Sequence, residues 1–208
     1  MMNYKIIGYH GTTDFYASII LKEGFKLPKE DPNHNHWLGH GVYFYKYRFL
    51  AEYWAMTKCK AINEKCKKKK YSESVLCVDI VTKDRIIADL DDPKQLLEYN
   101  KRVNDYIRLI KESDYTIVFN SDKLKKCSDK EIRDNVNCFI HDLFAKDKNL
   151  DVMIFTFKKK FPGYASQANK ESLIGNNYME QYSETQICVY NLDIIENIKL
   201  LERELEIC

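Results

Sequence analysis

The sequence predicts an α+β fold, and three observations carry that reading. Strand-like apolar runs stand near both ends of the chain, with helix-period segments between and beside them. Hydrophobic residues make up 45 % of the 208 positions, enough for a packed core. Only 7 Gly and 4 Pro occur, so the chain is neither low-complexity nor loop-dominated. The length suits one domain, and there is no internal repeat.

The elements follow in order. Residues 4–9 read as a short strand ending at His10-Gly11-Thr12. A helix is expected at about 14–23, capped by Thr12 or Thr13, with Asp14 at its positive end. Gly24 before Phe25 reads as a Schellman stop. A polar loop over 26–36 leads to a glycine-bearing turn and an aromatic strand, Gly39-His40-Gly41-Val42-Tyr43-Phe44-Tyr45. A helix at about 48–58 carries Phe49, Leu50, Tyr53, Trp54 and Met56, and Trp54 is expected to pack it on the core. The lysine-rich stretch from Cys59 to Lys70 reads as an exposed turn or loop. Ser74–Val81 alternates and is β-branched, the pattern of a strand. Residues 93–112 and 129–146 look helical and read as an insertion at about 92–147, with Asp114–Asn120 as strand or helix extension. Leu150–Phe157 and Glu184–Tyr190 read as strands, 158–183 as a long loop, and Asn191–Leu201 as strand or short helix.

Composition narrows function. The net charge of +2 gives no global footprint for nucleic acid or membrane. No stretch approaches the roughly 20 apolar residues of a membrane span, and no signal peptide is visible, so no membrane partner and a cytoplasmic location are expected. Seven Cys, an odd number without a C-x-x-C pair, suit free thiols in a reducing compartment. No G-x-G-x-x-G, P-loop or G-x-S-x-G pattern occurs.

Three pieces carry chemistry. In Tyr9-His10-Gly11-Thr12, Gly11 lets a ligand approach the backbone, whose N–H and C=O match a carboxamide, and His10 can bond a ribose hydroxyl. The plainer reading is a satisfied core histidine beside a turn glycine. The second piece joins Gly39–Tyr45 to Ala51-Glu52-Tyr53-Trp54-Ala55, flat rings able to sandwich a nicotinamide, or simply an aromatic core. The third is Ser183-Glu184-Thr185-Gln186-Ile187-Cys188-Val189-Tyr190. There Glu184 and Gln186 share one strand face, about 6–7 Å apart, with Cys188 continuing that face into the core. A carboxylate there would stabilise positive charge on a ribose whose glycosidic bond is breaking. A solvated strand entrance is the alternative.

These pieces, in this order, resemble the motifs of the ADP-ribosyltransferase superfamily, in the branch of diphtheria toxin and poly-ADP-ribose polymerase. That branch places a His, a Tyr and a Glu on three strands of a split β-sheet core. Tyr9-His10-Gly11-Thr12 resembles its first motif, Gly39–Phe44 its second, and Gln186–Asn191 its third. The Ala51–Ala55 helix is similar to that of small bacterial ADP-ribosyltransferase-like proteins. The resemblance implies NAD as co-substrate and glycosyl transfer of ADP-ribose, as a single unit, to a protein or nucleic-acid acceptor. It implies a catalytic set of His10, Tyr43, Gln186 and Glu184, and NAD contacts from His10, Gly11, Thr12, Gly41, Tyr43 and Tyr53. A role as toxin or defence effector, with an antitoxin or immunity partner, goes with that family. The departure is Gln186, which stands where the family has its catalytic Glu, leaving Glu184 to supply the carboxylate. The competing expectation is a catalytically weak module that binds NAD or ADP-ribose.

Two further features are weighed here. His34, His36 and His40 are close in sequence, but no Cys or carboxylate completes a zinc spacing near them, and no metal is expected. Lys58, Lys60, Lys65, Lys67, Lys68, Lys69 and Lys70 offer phosphate contacts to a nucleic acid or, more simply, a solvated charged face.

Overall fold

The computed structural model describes residues 3–29, 36–66, 70–83, 87–112, 129–160 and 181–202. Among them the chain runs through β1 (Asn3–Thr13), α1 (Asp14–Glu23), β2 (Val42–Tyr45), α2 (Arg48–Lys65) and β3 (Glu73–Lys83). It continues through β4 (Ile87–Asp89), α3 (Pro93–Glu112), α4 (Asp129–Lys148), β5 (Val152–Lys160) and β6 (Gln181–Val189). A 3-10 turn at Leu192–Ile194 then enters β7 (Ile195–Leu201). The strands form one mixed sheet in the order β4-β5-β6-β2-β1-β3-β7, antiparallel except for β4 and β5. The mixed α and β content agrees with the expected class.

Parallel neighbours need a crossover, and α3 with α4 is that crossover. The middle helices expected as an insertion therefore cover one sheet face. Tyr106 and Phe144 pack there with Leu38, Leu90, Met153 and Cys188. The opposite face buries Val42, Phe44, Val152, Ile187 and Val189, alternate positions of β2, β5 and β6, with Val78 and Ile80 of β3.

The sheet is split in its middle. β1 pairs with β3 from Asn3↔Lys83 to Thr13↔Glu73, but with β2 only at Tyr9↔Tyr45. Beyond that pair the Tyr43 carbonyl is bonded by the His10 side chain at 2.8 Å. β1 thus extends through His10 to Thr13, past the end expected at Tyr9, because β3 is long enough to pair it throughout. Thr13, one of the two expected caps, accepts from the Tyr16 N–H at 3.3 Å. Gly24 ends α1 with φ +78° but ψ 177°, outside the left-handed helical region a Schellman stop uses.

α2 corrects two expectations. It continues to Lys65 with Cys59 buried, so Lys58, Lys60 and Lys65 are helical; Lys67, Lys68 and Lys69 lie outside the described residues, as do Asp114–Asn120. Its buried stripe is Leu50, Ala51, Ala55 and Cys59, and Trp54 is 49 % exposed instead of anchoring the helix. The physical reason is Gly11. A Cβ there would meet the Ala51 carbonyl and come within 3.0 Å of the Ala55 nitrogen. The strand approaches so closely that only alanines fit beneath, and the large rings turn outward. The expected 158–183 loop is shortened at both ends, since β5 runs to Lys160 and β6 starts at Gln181; residues 161–180 are outside the described set.

Candidate functional site

A cavity of about 600 Å³ opens at the split between β1 and β2. Its size is that of a small-molecule or cofactor site. His10 and Gly11 reach it from β1, Gly41 and Tyr43 from β2 and its turn, and Gln186 from β6. Residues about 30 and 140 positions apart on three strands thus meet at one cavity.

His10 is half-buried, its ring edge-on to Phe25 and Phe44. A carbonyl can only accept, so Nδ1 donates its proton to the Tyr43 carbonyl and Nε2 is left as an acceptor. Burial, aided by the charge of Lys58 and opposed by that carbonyl, lowers its pKa from 6.5 to about 4. The ring is therefore neutral near neutrality. The sign for stability follows: unfolded His10 takes a proton near pH 6.5, folded His10 only near 4. Its contribution is complete above pH 6.5 and is lost as pH falls toward 4, by about 2 kcal/mol at pH 5. Urea unfolding at pH 7 and pH 5 should show a smaller loss in His10→Gln than in wild type; equal losses would refute the assignment. His141, also lowered to about 4 by burial, contributes to both proteins.

The Tyr43 hydroxyl is committed to the turn before β2. It donates to the Gly39 carbonyl at 2.8 Å and accepts from the Leu38 N–H at 2.6 Å. Tyr190 donates to the Leu38 carbonyl. Burial pushes the Tyr43 hydroxyl pKa far up, so it is a neutral clamp whose ring borders the cavity. The His36 ring stacks near it at 5.9 Å.

On β6, Gln186 and Glu184 do share a face. The Gln186 amide donates to the Glu184 carboxylate. Both are buried, at 6 % and 3 % exposure, but only Gln186 lines the cavity. Its Oε1 has no hydrogen-bond partner among the described residues. A buried acceptor left unmade costs about 1–3 kcal/mol, so this atom awaits a donor. Glu184 stands behind it and holds its orientation.

The remaining residues divide. Gly11 and Gly41 line the cavity, but each is also required by packing, since a Cβ on Gly41 would meet Cys188 Sγ and the Val189 carbonyl. Thr12 is buried in β1 and Tyr53 is 40 % exposed on α2; neither is among the cavity's lining residues. Trp54, one residue on, lines the cavity instead, as does Tyr16 of α1. Sequence reading placed Lys58 only in a lysine run facing a nucleic acid or solvent and missed Lys26; the two bring cations to the cavity. Lys58 sits 5.4 Å from the Tyr16 ring centroid, and burial lowers its pKa. The signal available was helical spacing: Trp54 and Lys58 are i and i+4 on one face.

No family model matches the chain, and no solved structure matches it. The chain is similar to an uncharacterized protein, MJ0359, of Methanocaldococcus jannaschii, with 26 % identity over 213 residues. The match covers 98 % of this chain and 91 % of that protein. Among the described residues no helix is long and apolar enough to cross a membrane.

Proposed function

We propose that the cavity binds NAD and that the protein transfers ADP-ribose from it to a macromolecular acceptor, protein or nucleic acid. The observation that carries the reading is the buried, unpartnered Gln186 Oε1 in a cavity that His10 and Tyr43 also line. A ribose hydroxyl supplies the missing donor, and His10 Nε2 offers a second acceptor for the neighbouring hydroxyl. The split sheet supports the same reading, since the three resembling motifs border one cleft. The rings of Tyr43, Tyr16 and Trp54 suit flat heterocycles, and Lys58 and Lys26 suit a pyrophosphate.

In the reaction the bond from ribose C1′ to the nicotinamide nitrogen breaks. The electron pair leaves with nicotinamide and neutralises its ring. An acceptor nucleophile then bonds to C1′ and loses a proton. Positive charge grows on the ribose meanwhile. The Gln186 oxygen, made more negative by the carboxylate its amide donates to, stabilises that charge. His10 stays neutral and orients the sugar. An odd number of cysteines without a C-x-x-C pair supports a reducing, cytoplasmic setting. An effector of this type would be paired with an antitoxin or immunity partner in the cell that makes it.

Calorimetry with NAD tests binding directly. Trp54→Ala and Lys58→Ala alter outward-facing cavity positions of α2 and leave its buried stripe intact. Each should weaken NAD by about 2–12-fold, from lost stacking of about 0.5–1.5 kcal/mol and a lost charge contact of similar size. Gln186→Ala should weaken it by a similar factor. Unchanged affinity in all three would place NAD elsewhere. Incubation of cell extract with adenylate-labelled NAD, followed by mass spectrometry, identifies the acceptor and counts nicotinamide released.

One observation favours the second reading, a weakly catalytic binding module. No Asp or Glu lines the cavity among the described residues. NAD binding without nicotinamide release under any acceptor would select that reading.

A further inference from the structure

Beside the cavity, the tertiary structure assembles a group that sequence spacing does not suggest. His40 precedes β2, and Cys138 and Asp142 lie at i and i+4 on one face of α4, about 100 residues away. One ligand atom from each lies within 4.8 Å of the other two. His40 Nδ1 is 3.6 Å from Cys138 Sγ and 2.5 Å from Asp142 Oδ2. A tetrahedral ion with bonds of about 2.0–2.3 Å separates its nitrogen and sulfur ligands by about 3.5 Å. The His–Cys spacing already fits, and the carboxylate needs to withdraw by less than about 1 Å.

The surroundings are built around Asp142. Its Oδ1 accepts the His40 backbone N–H at 2.6 Å, fixing the carboxylate from outside the ligand set. Gly39 has φ +85°, and a Cβ there would meet the same carboxylate. Cys138 is 1 % exposed, and the His40 and Asp142 side chains 9 % and 15 %. A thiolate and a carboxylate would balance a divalent charge in this secluded place. The His36 ring packs edge-on to His40 with centroids 5.0 Å apart.

We propose that His40, Cys138 and Asp142 bind a zinc-type divalent ion, with His36 or water as the fourth ligand. The soft sulfur and the imidazole select zinc or cobalt over magnesium or calcium. The ion would take the Nδ1 lone pair of His40, leaving the ring's single proton on Nε2, and would displace the thiol proton of Cys138 to solvent. It would tie α4 to the turn that positions Trp37 and the Tyr43 hydroxyl, so its role is to hold one wall of the cavity. This site does not depend on NAD being the ligand next door.

The test uses the full chain, stripped with a chelator and titrated with Co²⁺. One equivalent should give the near-ultraviolet sulfur-to-cobalt band and the visible absorption of a tetrahedral ion, both displaced by Zn²⁺. Mg²⁺ should have no effect, and Zn²⁺ should raise the melting temperature. Cys138→Ser should abolish the band, and Asp142→Asn should weaken Co²⁺ at least 10-fold. Cys77→Ser, which alters a thiol on β3, should keep it. Circular dichroism checks that each variant is folded. No band with the folded wild-type chain, or a band that survives Cys138→Ser, overturns the proposal.

Discussion

Glu184→Gln should lower nicotinamide release by about 10²–10⁴-fold while leaving NAD affinity nearly unchanged. The carboxylate is buried and accepts the Gln186 amide, so on the proposed reading its charge would act on the ribose through one hydrogen bond. That charge matters most when positive charge develops, which happens only in the transition state. The substitution is close to isosteric, and a thermal melt checks that the fold survives. The partner experiment is sharper. Gln186→Glu alone puts two carboxylates where Gln186 now donates to Glu184, and two buried like charges that close cannot both ionise. One will keep a proton until the second ionises, so the single variant should be active as a monoanion and show an added pH dependence that wild type lacks. Combining it with Glu184→Gln exchanges the two groups and removes that repulsion. The exchanged protein should match or exceed wild type with no such added pH dependence. Full turnover in Glu184→Gln would show that the carboxylate plays no part.

Gly11→Ala should destabilise the protein by about 3 kcal/mol or more, enough to threaten folding. The added Cβ would lie against the Ala51 carbonyl, backbone of a helix that cannot yield without breaking its own hydrogen bonds. Gly24→Ala makes the contrast. Its φ of +78° strains an L-residue, but nothing lies within 4 Å of the added carbon. About 1–3 kcal/mol is expected there, the cost of an extended backbone at positive φ that suits only glycine. Denaturant melts should therefore place Gly24→Ala nearer to wild type than Gly11→Ala. A Gly11→Ala protein as stable as wild type would mean that β1 and α2 can move apart. This also fixes how the cavity is probed: a bulky residue at Gly11 reports folding before it reports ligand, whereas Trp54 and Lys58 report ligand.

The sequence by itself determined the periodic elements. Ser74–Val81 alternates, and β3 is there; Asp14 after Thr13 opens α1, and Thr13 caps it. The 93–112 and 129–146 patterns became α3 and α4 nearly to the residue. Local preference and two-fold or 3.6-fold period act over a few neighbours, so they can be read from a few neighbours. The shared face of Glu184 and Gln186 was legible for the same reason, because strand geometry alone imposes it. What only the tertiary structure decided were matters of distance between remote segments. That Trp54 faces the cavity and not the core depends on how near β1 comes to α2, which Gly11 controls from 43 residues away. That Glu184 lies behind Gln186 depends on where the sheet splits. That His40 finds Cys138 and Asp142 depends on α4 crossing back over the sheet. Close packing sets these meetings through shape and volume summed over the whole core, and no window of sequence contains that sum.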